Sequence, residues 1–429
     1  MSVIAIAVFA AAVLAYVMFS GVLDRTRITA PIVFIVVGAV LGGALAHQPD
    51  PAIVRGLAEL TLALLLFHDA AQVRPHQLRG DLGVCARLLL VALPLTIGAG
   101  FLLAWVLFAG SSAWLALLLA AALAPTDAGL GAATVLNPVV PVRVRRVLNV
   151  ESGLNDGLAT PIVLFALAAA GSHGPAHALG TAVRELAVGA VFGVVVGAFA
   201  GRALSWARNA GWLEIGLLPV GAVAVPLLSY YGAVAVHGNG FVAAFVAGVA
   251  FAPSIARRSA GAAIGESLQL TAWVGALLEF AVWCLFGTIL VAHLGDIVTW
   301  PGVVFALLSL TVLRMLPVAL VLLGTGFARP TRWFIGWFGP RGLASVVFAL
   351  IAVEEYPHSG DVARVAGTIA LTVLLSVVLH GITADIGANR YGAWATRTHP
   401  HAELGAAVAP VAGRGTTRRW RTPTRSAET

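Results

Sequence analysis

The sequence predicts an all-α polytopic membrane protein, and three observations carry that prediction. The 429 residues are 59% hydrophobic and 10% charged, whereas soluble domains carry about 25% charged residues. Apolar runs recur at the length a helix needs to cross hydrocarbon, roughly 17–25 residues. The 26 basic residues, all arginine, gather in alternate connections between those runs, the pattern left when basic loops stay on the cytoplasmic side. Together these exclude a soluble domain, and a pI of 10.4 in such a chain invites no nucleic-acid reading.

In order, the runs fall at roughly 3–23, 30–46, 53–71, 84–108, 112–136, 147–170, 178–201, 212–232, 238–253, 266–293, 302–325, 335–353 and 363–386, which makes thirteen transmembrane spans. The first has no basic segment or cleavage site ahead of it, so it reads as a retained span rather than a secretory signal. Cys85 and Cys284 stand far apart in apolar surroundings and suggest neither a disulfide nor a metal motif. No cofactor is implied.

The arginines set the orientation. With the N-terminus outside, Arg25, Arg27, Arg74, Arg79, Arg87, Arg143, Arg145, Arg146, Arg202, Arg208, Arg257, Arg258, Arg329, Arg332 and the seven after Asn389 lie inside, and only Arg55, Arg184 and Arg364 lie outside. One missed or invented span would scramble this asymmetry. The expectation is a multi-pass protein of the cell membrane with a transmembrane domain over 1–388 and an Arg-rich, disordered cytoplasmic tail over 389–429.

Thirteen spans make spans 1–6 and 8–13 run in opposite directions. That is the inverted-repeat plan of many transporters, in which interrupted helices at matching positions mark the binding site. The fifth span of the first half carries Ala124-Pro125-Thr126-Asp127-Ala128-Gly129, and the fifth of the second, span 12, carries Phe338-Gly339-Pro340-Arg341-Gly342. A proline beside a small residue frees backbone groups that lipid cannot satisfy, so such breaks belong where protein or an aqueous cavity replaces it.

Charge at depth narrows the site. The sixth span opens on Glu151-Ser152-Gly153-Leu154-Asn155-Asp156, although an ionised side chain at mid-bilayer costs about 2.5–3.5 kcal/mol on insertion scales. Residues four apart share a helix face, so Ser152 and Asp156 form one stripe and Glu151 and Asn155 the next. The first stripe offers the oxygen ligands that suit a hard cation such as Na+. A cap at the start of the helix would account for Glu151 and Ser152 but not for Asp156, about two turns in. Arg341 stays protonated and needs an anion at depth, with Glu151, Asp127 and Asp156 as candidates. Asp69 sits near the inner end of the third span beside an interfacial His68, and Glu279 and Arg314, on consecutive spans, suggest a structural ion pair. Asp24, Asp50, Asp81, Glu185 and Asp361 fall in loops and call for no special role.

The two broken motifs and the Glu151–Asp156 stretch resemble the monovalent cation/proton antiporter-1 family, the sodium/proton exchangers. So do Leu65-Leu66-Phe67-His68-Asp69-Ala70 and the run from His237 to Gly248, and the likeness covers all thirteen spans. The resemblance implies a homodimer in which a six-helix core (spans 4–6 and 11–13), with broken helices 5 and 12 crossed inside it, moves against an interface domain (spans 1–3 and 7–10). It makes Asp156 the carboxylate for ion and proton, with Asp127, Ser152 and the Thr126 backbone carbonyl beside it. It pairs Glu151 with Arg341 and has Asn155 brace the crossing. Asp69 stands where the family often has glutamate, and Asn155-Asp156 resembles the electroneutral branch, which exchanges one proton per cation.

The expected function is exchange of Na+ for a proton by alternating access, serving pH homeostasis, with the bilayer and a second copy of the chain as partners. K+/H+ exchange is the alternative, since oxygen ligands alone do not set cavity size. A cation channel would need a continuous polar stripe, and an intramembrane hydrolase a nucleophile with its base. The sequence carries neither pattern.

Overall fold

The structure is a computed structural model that describes residues 3–26, 28–45, 50–73, 80–127, 129–131, 134, 137–171, 175–256 and 262–404. Every regular element among them is helical. In an apolar medium a helix satisfies its own backbone groups, which is why the apolar runs take this form.

The first three helices are α1 (Val3–Thr26), α2 (Ala30–Leu45) and α3 (Pro51–Gln72). Asp50 caps α3 by accepting from the Ala52 amide at 2.9 Å, and Pro51 sits in the first turn, where no partner is needed for the missing N–H. Helix α4 (Leu82–Leu107) contains a π-helical turn, Leu88–Ala92. It immediately precedes the turn of Pro94, whose ring and missing N–H oppose regular α-helical pairing. Helix α5 (Ala113–Leu123) stops before Pro125. Then come α6 (Val142–Ala170), α7 (Pro175–Asn209), α8 (Leu218–Ala235), α9 (Gly240–Ala256) and α10 (Ala262–Ile297). Helix α11 (Trp300–Val321) is interrupted at Thr311. Helices α12 (Arg329–Trp337) and α13 (Leu343–Glu355) flank the Gly-Pro-Arg-Gly segment, and α14 (Gly360–Thr398) and α15 (His401–Leu404) complete the chain. Among the described residues, eight helices are long and apolar enough to cross a membrane, and α2, α5 and α9 are shorter apolar helices.

Helices α5 and α13 occupy the interior. Leu118, Leu119, Ala121, Ala122, Val347 and Ala352 are fully buried. The two interruptions that adjoin these helices are thereby shielded from lipid, as non-helical backbone at membrane depth must be.

Small residues let other helices approach backbone to backbone, the usual device where apolar surroundings supply no hydrophobic drive. Gly189, Gly193, Gly197 and Gly201 form an i,i+4 row on α7, against the backbone carbonyls of Asn239, Ala243, Ala247 and Phe251 on and just before α9. A Cβ at Gly193 or Gly197 would overlap those oxygens. Gly197→Ala is therefore expected to cost about 1–3 kcal/mol, the range for overpacking, and to lower the thermal midpoint of the detergent-solubilised protein. An unchanged midpoint would show that this helix pair tolerates separation.

Two expectations for segments outside the apolar spans are corrected. Asp81, read as an ordinary loop residue, is 3% exposed and accepts from Arg143 Nε at 2.6 Å and Arg146 Nη1 at 2.9 Å, tying the start of α4 to the start of α6. The expected disordered tail is ordered through residue 404. Tyr391 stacks on Phe334 with centroids 4.1 Å apart, and Glu403 Oε1 accepts from the Ala328 amide at 2.8 Å and Thr331 Oγ1 at 2.5 Å. Helix α14 thus continues as a strap over the start of α12. Residues 405–429 lie outside the described residues.

Candidate ion-binding site

The two interruptions touch through their backbones. The Asp127 amide donates to the Pro340 carbonyl at 2.8 Å, and Ser345 Oγ on α13 donates to the Ala122 carbonyl at 2.6 Å. Asp127 engages both carboxylate oxygens with main-chain amides, Oδ1 with Gly129 at 2.7 Å and Oδ2 with Leu343 at 3.1 Å. Leu343 is the first residue of α13, so this carboxylate sits at a helix N-terminus, where negative charge is favoured. Gly342 makes that approach feasible, since a Cβ there would overlap the Asp127 carboxylate. The local geometry makes Asp127 a brace that joins the breaks.

Arg341 is fully buried. Its Nη1 donates to the carbonyls of Ala124 at 3.0 Å and Pro125 at 3.2 Å, and its Nη2 to that of Ser309 at 3.3 Å. Its own amide donates to Ser376 Oγ at 2.7 Å. The guanidinium therefore supplies donors to carbonyls at the α5 break and to one two residues before the α11 interruption.

The partner of Glu151 is consequently not Arg341. Arg314 Nη1 donates to Glu151 Oε1 at 2.6 Å, and both side chains are nearly inaccessible. This corrects the Glu151–Arg341 pairing that the family resemblance implied. It also corrects the Glu279–Arg314 pair, because Arg314 reaches across to α6. Glu279 lies against Gly129, just past the first break, with Oε1 3.6 Å from the position of an added Gly129 Cβ, and it accepts from Trp283 Nε1 at 3.2 Å.

The expected ion-binding stripe of α6 meets the first break directly. Thr126 Oγ1 and Ser152 Oγ share a hydrogen bond of 2.9 Å, and Asn155 Nδ2 donates to Thr126 Oγ1 at 2.7 Å. Thr126, Ser152, Asn155 and Asp156 are all buried. Asp156 lies one turn beyond Ser152 on the same face, and its backbone carbonyl accepts from Thr160 Oγ1 at 2.7 Å. Pro161 follows and has no N–H for the Gly157 carbonyl four residues back, which loosens the helix next to Asp156. Asp69 packs on α6 from α3, 3.5 Å from where a Gly153 Cβ would be. Gly153 neighbours Ser152 and lies three residues from Asp156, so Asp69 faces the same region. Thr126, Ser152 and Asn155 are thus hydrogen-bonded together at the α6 stripe with Asp69 packed on Gly153, Asp127 turns its carboxylate to the start of α13, and Glu151 and Arg314 form a separate ion pair.

This arrangement can be compared with known proteins. A family described as "Sodium/hydrogen exchanger, transmembrane" matches residues 9–387. The chain is 28% identical over 363 residues to a K(+)/H(+) antiporter, NhaP, of Alkalimonas amylolytica, covering 82% of this chain and 61% of that one. It is 26% identical over 350 residues to the K(+)/H(+) antiporter NhaP2 of Shewanella sp. (strain MR-4), covering 78% and 58%. It thus spans about three fifths of the length of these curated relatives. It is 26% identical over 324 residues to a Na(+)/H(+) antiporter of Schizosaccharomyces pombe, covering 68% and 67%. The fold is similar to that of the sodium proton antiporter MjNhaP1 of Methanocaldococcus jannaschii, with a TM-score of 0.74 and 20% identity over 91% of this chain and 99% of that one. The family match runs through both helix interruptions and the acidic stretch of α6, and this multi-pass membrane protein belongs to the sodium/hydrogen exchanger family.

Proposed function

We propose that the protein is a secondary active antiporter, not an enzyme, that exchanges a monovalent cation for a proton at Asp156. The observation that carries this reading is the bonded cluster of Thr126, Ser152 and Asn155, which holds the Asp156 stripe against a helix break. Arg341 occupies the carbonyls of Ala124 and Pro125, so the carbonyl we assign to the cation is the next one, of Thr126, with Ser152 Oγ and Asp156 beside it. Asp127 and Asp69 complete the negative surroundings, and Asn155 braces the break.

In this reading the chain has thirteen spans in inverted repeats, with the broken helices crossing at the site. A core of α4–α6 and α11–α14 moves against α1–α3 and α7–α10 in a homodimer. The N-terminus is outside and the C-terminus cytoplasmic in the cell membrane, and the exchange serves pH homeostasis. Asp156 binds either a proton or the cation, so each expels the other. Only the neutralised site crosses readily, because a bare carboxylate is costly to move past the hydrophobic barrier. One carboxylate then yields one-for-one, electroneutral exchange without a cofactor.

Na+ is our first assignment, because hydroxyl, carbonyl and carboxylate oxygens suit a hard monovalent ion. The names of two of the relatives favour K+ as the second reading. The test is proton movement in proteoliposomes driven by Na+, Li+ or K+, with and without a clamped membrane potential. The expected result is cation-dependent proton flux whose rate ignores the potential. Cation flux without proton coupling would make the protein a channel, and a rate that follows the potential would rule out one-for-one exchange.

A further inference from the structure

Close backbone approaches sort the helices. Among the described residues, the glycines whose added Cβ would come under 3.0 Å from another helix's backbone lock α2 to α10, α7 to α9 and α9 to α3. None of them joins one of these helices to α4–α6 or to α11–α14. Contacts across that seam are of another kind. Gly157 of α6 meets the ring of Phe245, and Gly153 and Gly381 meet the side chains of Asp69 and Ile32, each at 3.5 Å. Rings and ordinary van der Waals contacts can slide, whereas interlocked backbones cannot.

An ion pair crosses the same seam at the end of the molecule opposite the Asp81–Arg146 pair. Arg55, in the first turns of α3, donates from Nε to Glu59 Oε1 at 2.6 Å, and its Nη1 lies 3.5 Å from Glu354 Oε1 at the end of α13.

We propose that Arg55 and Glu354 form a latch that closes this face of the carrier and opens once per transport cycle. The inference rests on the antiport reading above. The two halves of the latch are unequal. Arg55 is held on its own helix by Glu59, one turn on, so the arginine stays with α3. The contact to Glu354 is the longer one, and Glu354 leaves with α13. Strength also separates this pair from the other one near the transport path. The Arg55 and Glu354 side chains are 38% and 27% exposed, against 3% and 2% for Arg314 and Glu151. A solvated pair contributes little and is easily broken, as a gate requires. The buried pair would be costly to separate, and it lies wholly on one side of the seam.

The test replaces Cys85 and Cys284 with serine, places cysteines at Arg55 and Glu354, and joins them with a short reducible bis-thiosulfonate in proteoliposomes. Proton exchange is first measured without cross-linker, which judges the antiport reading alone; if no exchange is seen, the latch falls with that reading. The expected result is exchange before linking, none after it, and recovery on reduction. A linked carrier that exchanges at the unlinked rate overturns the latch while leaving antiport standing. In parallel, Arg55→Gln is expected to shift the apparent cation KM on this face about two- to five-fold, the scale of an exposed pair, and the exchange Arg55→Glu with Glu354→Arg should restore it. A KM that neither change moves counts against the latch.

Discussion

Replacing Asp156 with asparagine is expected to reduce cation-driven proton movement to the level of protein-free vesicles. Asparagine matches aspartate in size and keeps its hydrogen-bonding capacity, so the Thr126–Ser152–Asn155 cluster one turn away should persist and the protein should fold. What disappears is the negative charge that holds the cation and the proton that competes with it. The neutral site could still cross the barrier, since it lacks the charge that makes an empty site costly to move, but it would carry neither cargo. A normal thermal midpoint with no exchange is the expected pair of readings. Retained proton-coupled flux in this variant would remove Asp156 from the mechanism.

The second large effect concerns stability. Glu151 and Arg314 make a 2.6 Å contact with side chains only 2% and 3% exposed. Removing one partner strands the other charge away from water, which costs about 3–5 kcal/mol, whereas replacing both with neutral groups of similar size is often tolerated. Arg314→Leu or Glu151→Gln alone should therefore lower the thermal midpoint sharply, and the double variant should recover most of the loss. Arg341 provides the control, because its donors go to backbone carbonyls. In a double-mutant cycle, Glu151 should couple more strongly to Arg314 than to Arg341, and the reverse ranking would restore the pairing that the resemblance implied.

The fold was legible because its signals are local. Apolar length, arginine placement and two Pro-centred motifs suffice to locate the helices and both interruptions, with Pro125 and Pro340 read directly as breaks. The α6 stripe was equally readable, since residues four apart on a helix face must be neighbours. Choosing among charged partners was harder. Arg314 and Arg341 both lie deep in the chain's second half, and only their placement in three dimensions decides which guanidinium reaches Glu151. The interruption at Thr311 carries no proline at the break itself, and it became visible only in three dimensions. Asp81 was missed because a loop aspartate is ordinarily solvated. The available signal was Arg143 and Arg146, three residues apart and so on one helix face. The ordered strap was missed for a similar reason, because net charge masked the Tyr391, Trp394 and Ala402 pattern that anchors it.

The central claim is that one carboxylate serves cation and proton in turn. Its most direct measurement is proton release when Na+ or K+ is added to detergent-solubilised protein in weakly buffered solution, with wild type and Asp156→Asn compared. Binding to a group that must be deprotonated releases protons, so wild type should release on the order of one proton per cation bound and the variant none. Cation binding to wild type without proton release, or undiminished release from Asp156→Asn, would contradict it.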